Sequence, residues 1–222
     1  MILRAEKVTR QYFRQSKGSN VFVAVQETDF ALHSGELIEI IGRSGSGKST
    51  LLNMLAGLLK PTSGKVYFDD TDIYALGDGE CSRFRNAHIG VIPQGQTGLH
   101  SLTVMENVLL PFMMYGFETG AEDYAAELLG RVGIADLKNA YPNELSGGEM
   151  RRLSIARALV KKPEVLLCDE PTGDLDDENT QAVLRLLRQA ADNGTAVLLV
   201  THEKEAAEYA DQIYRMNAGI LS

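Results

Sequence analysis

The chain has only two cysteines, no apolar run long enough to cross a bilayer, and no excess of basic charge. Each shortage removes a class of protein. Cys81 and Cys168 lie far apart without metal-ligand spacing, so they are read as two reduced thiols of a cytoplasmic protein. The longest apolar stretch, residues 108–117, is about half the length of a membrane-spanning helix and contains Pro111. A membrane role would therefore need a second chain to do the spanning. The first six residues lack the apolar core of a signal peptide. A net charge of −8 argues against non-specific binding to duplex phosphates, which select basic surfaces. No internal repeat, low-complexity segment or Pro/Gly/Ser-rich linker divides the sequence. With 222 residues, 44% of them hydrophobic and 23% charged, one large α/β domain or a core with a smaller insertion is expected.

Hydrophobic periodicity places the elements. Residues 3–8, 21–25 and 29–32 alternate as strands, with Gly18-Ser19-Asn20 as a turn. Residues 37–41 form a short apolar run, as in a strand buried on both faces. From Lys48 the period becomes helical: Leu51, Leu55 and Leu58/Leu59 share a face, closed by Pro61 and Gly64. Residues 65–69 read as another strand, and residues 82–161 as mostly helical. Strands return at 165–168 and 196–200. Between them Val183, Leu186, Leu187 and Ala190 mark an amphipathic helix ending at Asn193-Gly194. Asp176, Asp177 and Glu178 crowd its start, where the helix dipole favours negative charge. Strands at both ends of the chain with helices between them predict an α/β core interrupted by a helical insertion.

Gly42-Arg43-Ser44-Gly45-Ser46-Gly47-Lys48-Ser49, followed by Thr50, fits G-x-x-x-x-G-K-[ST] at every fixed position, between a buried strand and a helix. Backbone N–H groups of such a loop turn inward on a β-phosphate, and glycine allows the close approach. Lys48 can reach the β- and γ-phosphates, and the Ser49 hydroxyl can ligate Mg²⁺. The helix dipole supplies about 0.3–1 kcal/mol. Each charge-assisted hydrogen bond supplies about 1.5–3 kcal/mol, so the fixed donors dominate. Residues 165–170 are an apolar strand ending in Asp169 and Glu170. In an open parallel sheet ligands bind beyond such strand ends, so Asp169 can hold Mg²⁺ and Glu170 can act as general base. Ser146-Gly147-Gly148 reads from composition alone as a helix N-terminus, a place where an anion can sit, with any function left open.

With Leu145-Ser146-Gly147-Gly148-Glu149 the sequence resembles the ATP-binding-cassette (ABC) ATPases over essentially its whole length. The motifs fall in family order: Gln94, residues 145–149, Asp169-Glu170, Gly173-Asp174-Leu175-Asp176 and Thr201-His202. The resemblance implies a P-loop NTPase core with an antiparallel β subdomain and an inserted α-helical subdomain. As a single nucleotide-binding domain, the chain would keep its core at about 1–93 and 162–222 and its helical part at about 94–161. It further implies that Ser146, Gly147, Gly148 and Glu149 bind ATP held by a second subunit, and that Asp176 crosses the dimer interface. Gln94 matches the residue that senses Mg²⁺ or attacking water. Pro93 replaces the usual aromatic before it, and Gln96 is a rival. His202 matches the γ-phosphate histidine. Tyr12 matches the aromatic that stacks on adenine, with Phe13 as competitor. Glu149 stands where glutamine is more common.

Residues 170–176, read E-P-T-G-D-L-D, and Leu102-Thr103-Val104-Met105-Glu106-Asn107-Val108 are similar to the stand-alone ATPases of macrolide export and lipoprotein release. That branch implies a peripheral subunit on the cytoplasmic face of a bacterial membrane. It would pair as a homodimer around two ATP and drive a separate transmembrane permease, with no nucleic acid involved. The permease contact would be part of the surface at 108–117 with Leu99 and Leu102, most of Val108, Leu109 and Phe112 being core of the helical insertion. An FtsE-like ATPase that regulates a membrane partner without transport is the first rival. A soluble ABC ATPase acting on DNA or ribosomes is the second.

Overall fold

A computed structural model describes residues 2–13, 21–95, 97–116, 118–173 and 175–222, the side chain of Lys204 apart. The predicted turn at residues 18–20, Gln96, Phe117 and Asp174 lie outside these residues.

Two sheets carry the chain. In the first, β1 (Leu3–Phe13), β2 (Val21–Leu32), β4 (Ser63–Phe68) and β5 (Thr71–Asp72) pair antiparallel in the order β2-β1-β4-β5. The two strands expected at 21–25 and 29–32 are one, and β1 runs on past residue 8. Irregular register between Ala5 and Gln11, with Lys7 at φ 49°, breaks the alternation that periodicity relies on. The second sheet has the order β10-β9-β3-β8-β7-β6. Its members are β3 (Leu37–Ile41), β6 (Ile89–Ile92), β7 (Val165–Asp169), β8 (Ala196–Val200), β9 (Gln212–Asn217) and β10 (Ile220–Leu221). The first five are parallel, and β10 runs antiparallel to β9. Strand β6 corrects the helical reading of 82–161. Its Ile-Gly-Val-Ile follows helix α2 (Asp78–His88) directly and is too short to show a period.

The helix α1 (Lys48–Leu55) opens on the phosphate loop and lies between the two sheets. Leu51, Leu52, Met54 and Leu55 are all buried, sharing one core with Leu3, Val25 and Val66 of the first sheet and Ile40, Leu167 and Leu198 of the second. Fully burying each such side chain contributes about 1.5–3 kcal/mol. The helix stops at Ala56, so Leu58 is exposed instead of joining the apolar face. Against the other face of the parallel sheet pack α3 (Val104–Tyr115), α4 (Ala121–Arg131), α5 (Gly147–Leu159) and α6 (Asp177–Asp192). Val108, Leu109 and Phe112 are core residues of this second cluster, and α3 continues through Pro111. Among the described residues no helix is long and apolar enough to cross a membrane. One residue resists the apolar reading of β3: Glu39 is 1% exposed.

Candidate active site

Strand β3 runs directly into the loop before α1, so the carboxyl ends of the parallel strands and the loop meet at one edge. Gly47 caps α1 at φ 109°, a left-handed value open to glycine, and a Cβ there would sit 2.2 Å from the Ala24 carbonyl oxygen. A Cβ on Gly42 would meet the Met216 carbonyl oxygen at 2.2 Å. Backbone from β2 and β9 thus fixes the loop's path. The buried Lys48 folds back, donating from Nζ to the carbonyls of Gly42 (2.7 Å) and Arg43 (3.2 Å). These bonds hold the ammonium in place over the loop.

A cavity of about 1190 Å³ opens here, lined by residues 42–50, Tyr12, Gln94, Asp169, Glu170 and His202. The guanidinium of Arg10 lies 4.7 Å from the centre of the Tyr12 ring. The rival Phe13 is 85% exposed and stays outside this lining. Asp169 ends β7 and is buried. Burial raises its carboxyl above the ordinary range, opposed by a hydrogen bond with the Ser49 hydroxyl. Its Oδ1 has no hydrogen-bond partner among the described residues. A buried carboxylate oxygen without a partner, beside a hydroxyl and an ammonium, suits a hard cation with oxygen ligands.

Glu170 stands at φ 51°, a left-handed value uncommon for a side-chain-bearing residue, with its N–H donated to the Val200 carbonyl at 2.8 Å. This turn directs Oε2 to Nδ1 of His202 at 2.8 Å. The Glu170 carboxylate in turn raises the His202 pKa, by hydrogen bond and by charge. Gly173 of the motif at 173–176 lines the cavity, and so do residues beyond the sequence reading: Phe22, Ala24, Gly95 and Arg151. Arg151 looks from sequence like one more charge on a helix. It is 5% exposed and donates to the Pro93 carbonyl at 2.8 Å, tying α5 to the loop that carries Gln94. Arg157, further along α5, holds the same loop through Thr97.

Ser146, Gly147, Gly148 and Asp176 are absent from this lining. They meet instead around a separate cavity of about 460 Å³, with Arg152, Leu175 and Asn179. Ser146 caps α5 by accepting from the Glu149 N–H. Glu149 accepts from both the N–H (2.7 Å) and the hydroxyl (2.8 Å) of Ser146, and these bonds hold its carboxyl below the usual range. Asp176 caps α6 through the Asn179 N–H at 2.8 Å.

A phosphate loop, an acidic strand end and a histidine at one edge of a parallel sheet define a P-loop nucleoside triphosphatase. The ABC transporter family profile matches residues 25–173. The chain is 39% identical over 222 residues to the lipoprotein-releasing system ATP-binding protein LolD of Idiomarina loihiensis, covering 99% of this chain and 96% of that one. To the macrolide export ATP-binding/permease protein MacB of a Shewanella species it is 37% identical, over 92% of this chain and 32% of that one. The dimeric cassette MJ0796 in a post-hydrolysis state bound to ADP and Pi superposes with a TM-score of 0.91 at 33% identity, covering 100% of this chain and 98% of that one. The chain belongs to the ABC transporter family, as an ATP-binding and ATP-hydrolysing subunit of the LolD/MacB-like branch.

Proposed function

We propose that residues 42–50 with Tyr12, Gln94, Asp169, Glu170 and His202 form one half of an ATP site. Ser146–Gly148 and Asp176 complete the site of a second copy. The observation that carries this is the separation itself: one chain presents the two groups in two cavities, so neither group alone encloses a nucleotide. A head-to-tail pair brings each helix start of α5, a natural anion site, to the γ-phosphate held by the partner's loop. The helical part at about 94–161 then moves as one piece on a core of about 1–93 and 162–222, linked through the Arg151 bond to the Pro93 carbonyl.

Within the site, Lys48 and the loop amides bind the phosphates, and adenine stacks on Tyr12. Asp169 and Ser49 would hold Mg²⁺, with Gln94 nearby; the ion when bound neutralises phosphate charge. Glu170 accepts the proton of the attacking water, and His202 holds the Glu170 carboxylate and reaches for the γ-phosphate. The orphaned Oδ1 of Asp169 supports the metal assignment.

Closing and opening of the pair drives a separate permease from the cytoplasmic face of a bacterial membrane. Buried Asn107 organises the surface for that contact. Its side chain bonds both the N–H and the carbonyl of Leu99 and the carbonyls of Leu102 and Thr103, leaving Leu99 45% exposed. Leu99→Asp should keep basal ATP turnover and lose stimulation by the co-purified permease. Full stimulation in that variant would move the contact elsewhere.

A further inference from the structure

Tyr12 reaches the nucleotide cavity from the far end of β1, two positions beyond Arg10, and side chains two apart on a strand share a face. The Arg10 guanidinium lies 4.7 Å from the centre of the Tyr12 ring, inside the roughly 6 Å over which a cation and an aromatic face attract. Tyr12 lines the cavity and Arg10 does not, so the arginine covers one face of the ring and leaves the other turned to the cavity.

The guanidinium is itself held. Its Nη1 donates to the Lys60 carbonyl at 2.8 Å, and Lys60 lies in the connection between α1 and β4. Backbone donors tie the same connection to β1 on either side of Arg10. The Thr62 N–H donates to the Thr9 carbonyl at 2.8 Å, and the Gln11 N–H to the Thr62 hydroxyl at 3.0 Å. Helix α1 begins at Lys48 of the phosphate loop. One continuous segment, residues 42–62, thus carries the phosphate donors at its start and the anchor of the arginine at its end. The Nε of Arg10 is buried without a hydrogen-bond partner among the described residues. A guanidinium desolvated in this way gains more from an aromatic face than an exposed one does.

We propose that Arg10 is a positioning residue for the base of the nucleotide: it packs behind Tyr12 and holds the ring in its binding orientation before ATP arrives, so that adenine meets a preformed face. This inference rests on the reading that adenine stacks on Tyr12. A ring already held in place costs less ordering when the ligand binds. Arg10 lies outside the cavity, so it acts on binding and leaves the chemical step alone.

The chain has no tryptophan, so Tyr12→Trp introduces a single indole that reports on this position. Adding Arg10→Met, which keeps an apolar stem and removes the cation, should lower the fluorescence anisotropy of that indole before ATP is added. In the chain with its native tyrosine, Arg10→Met should raise KM for ATP about two- to fivefold with kcat unchanged. Tyr12→Ala should raise KM at least as much, and Arg10→Met should then add nothing further. An unchanged anisotropy or an unchanged KM in Arg10→Met would overturn the proposal. So would the same KM penalty with and without the Tyr12 ring, which would leave Arg10 a structural tie to Lys60. If Tyr12→Ala itself leaves KM unchanged, the stacking reading falls and takes the proposal with it.

Discussion

Glu170→Gln lowers ATP turnover by about 10²–10⁴-fold, the range a positioned general base contributes, while ATP binding is retained. The substitution keeps the side chain's size and removes its capacity to take a proton from water. Binding survives because the phosphate contacts come from residues 42–50, and Glu170 makes none of the loop's internal bonds. The same variant changes His202. Its pKa lies above the ordinary histidine value because the Glu170 carboxylate bonds Nδ1 and shifts the balance toward the protonated ring. A raised folded-state pKa contributes stability at pH below the unfolded value, and that contribution is lost as pH rises through the folded value. With glutamine in place, the His202 titration followed by NMR should drop toward the ordinary value. The His202 side chain is 72% exposed, so screening keeps the effect on stability small. Turnover within a few fold of wild type would remove Glu170 from the role of base.

Gly47→Ala has the second large effect, through geometry. The residue stands at φ 109°, and the new methyl would lie 2.2 Å from the Ala24 carbonyl oxygen, which belongs to a strand and cannot swing away like a side chain. A side chain forced into such a backbone region costs about 1–3 kcal/mol before the clash is relieved. Relieving it displaces Gly47 and Lys48 together, and each misdirected charge-assisted donor gives up about 1.5–3 kcal/mol of phosphate binding. ATP affinity measured by titration should fall by about 100-fold or more. Gly45 offers a contrast, since nothing lies within 4 Å of the position its Cβ would take, although its φ of 78° still carries strain. An affinity within a few fold of wild type for Gly47→Ala would mean that the loop path is not fixed by β2.

Legibility in the sequence followed the range of the interactions. The phosphate loop was readable because its residues act on one another within a few positions. The apolar strands β7 and β8 were equally plain, since five consecutive buried residues leave no ambiguity. Strand β6 escaped because four residues carry no measurable period, and the bulged β1 escaped in its second half because its register shifts. Tyr12 could be set apart from Phe13 only in three dimensions, where 85% exposure takes Phe13 out of the cavity. Arg151 and Glu39 show the same limit from the other side. Arg151 gives no local sign that it is buried, since its burial comes from an element more than fifty residues away at Pro93. For Glu39 the run at 37–41 signals burial but not the lack of a partner, which depends on Leu199 and Ile213 beside it.

The division of the ATP site between two copies is tested most directly by mixing two inactive variants. Lys48→Ala removes the phosphate ammonium, and Ser146→Arg blocks the helix start that faces the partner. Each alone leaves both sites of a homodimer defective and should hydrolyse ATP at background. Mixed, they form heterodimers in which the intact loop of one chain meets the intact Ser146 of the other, and ATP turnover should return in part. A mixture that stays at background, with both variants folded and heterodimers demonstrated, would contradict a site shared between subunits.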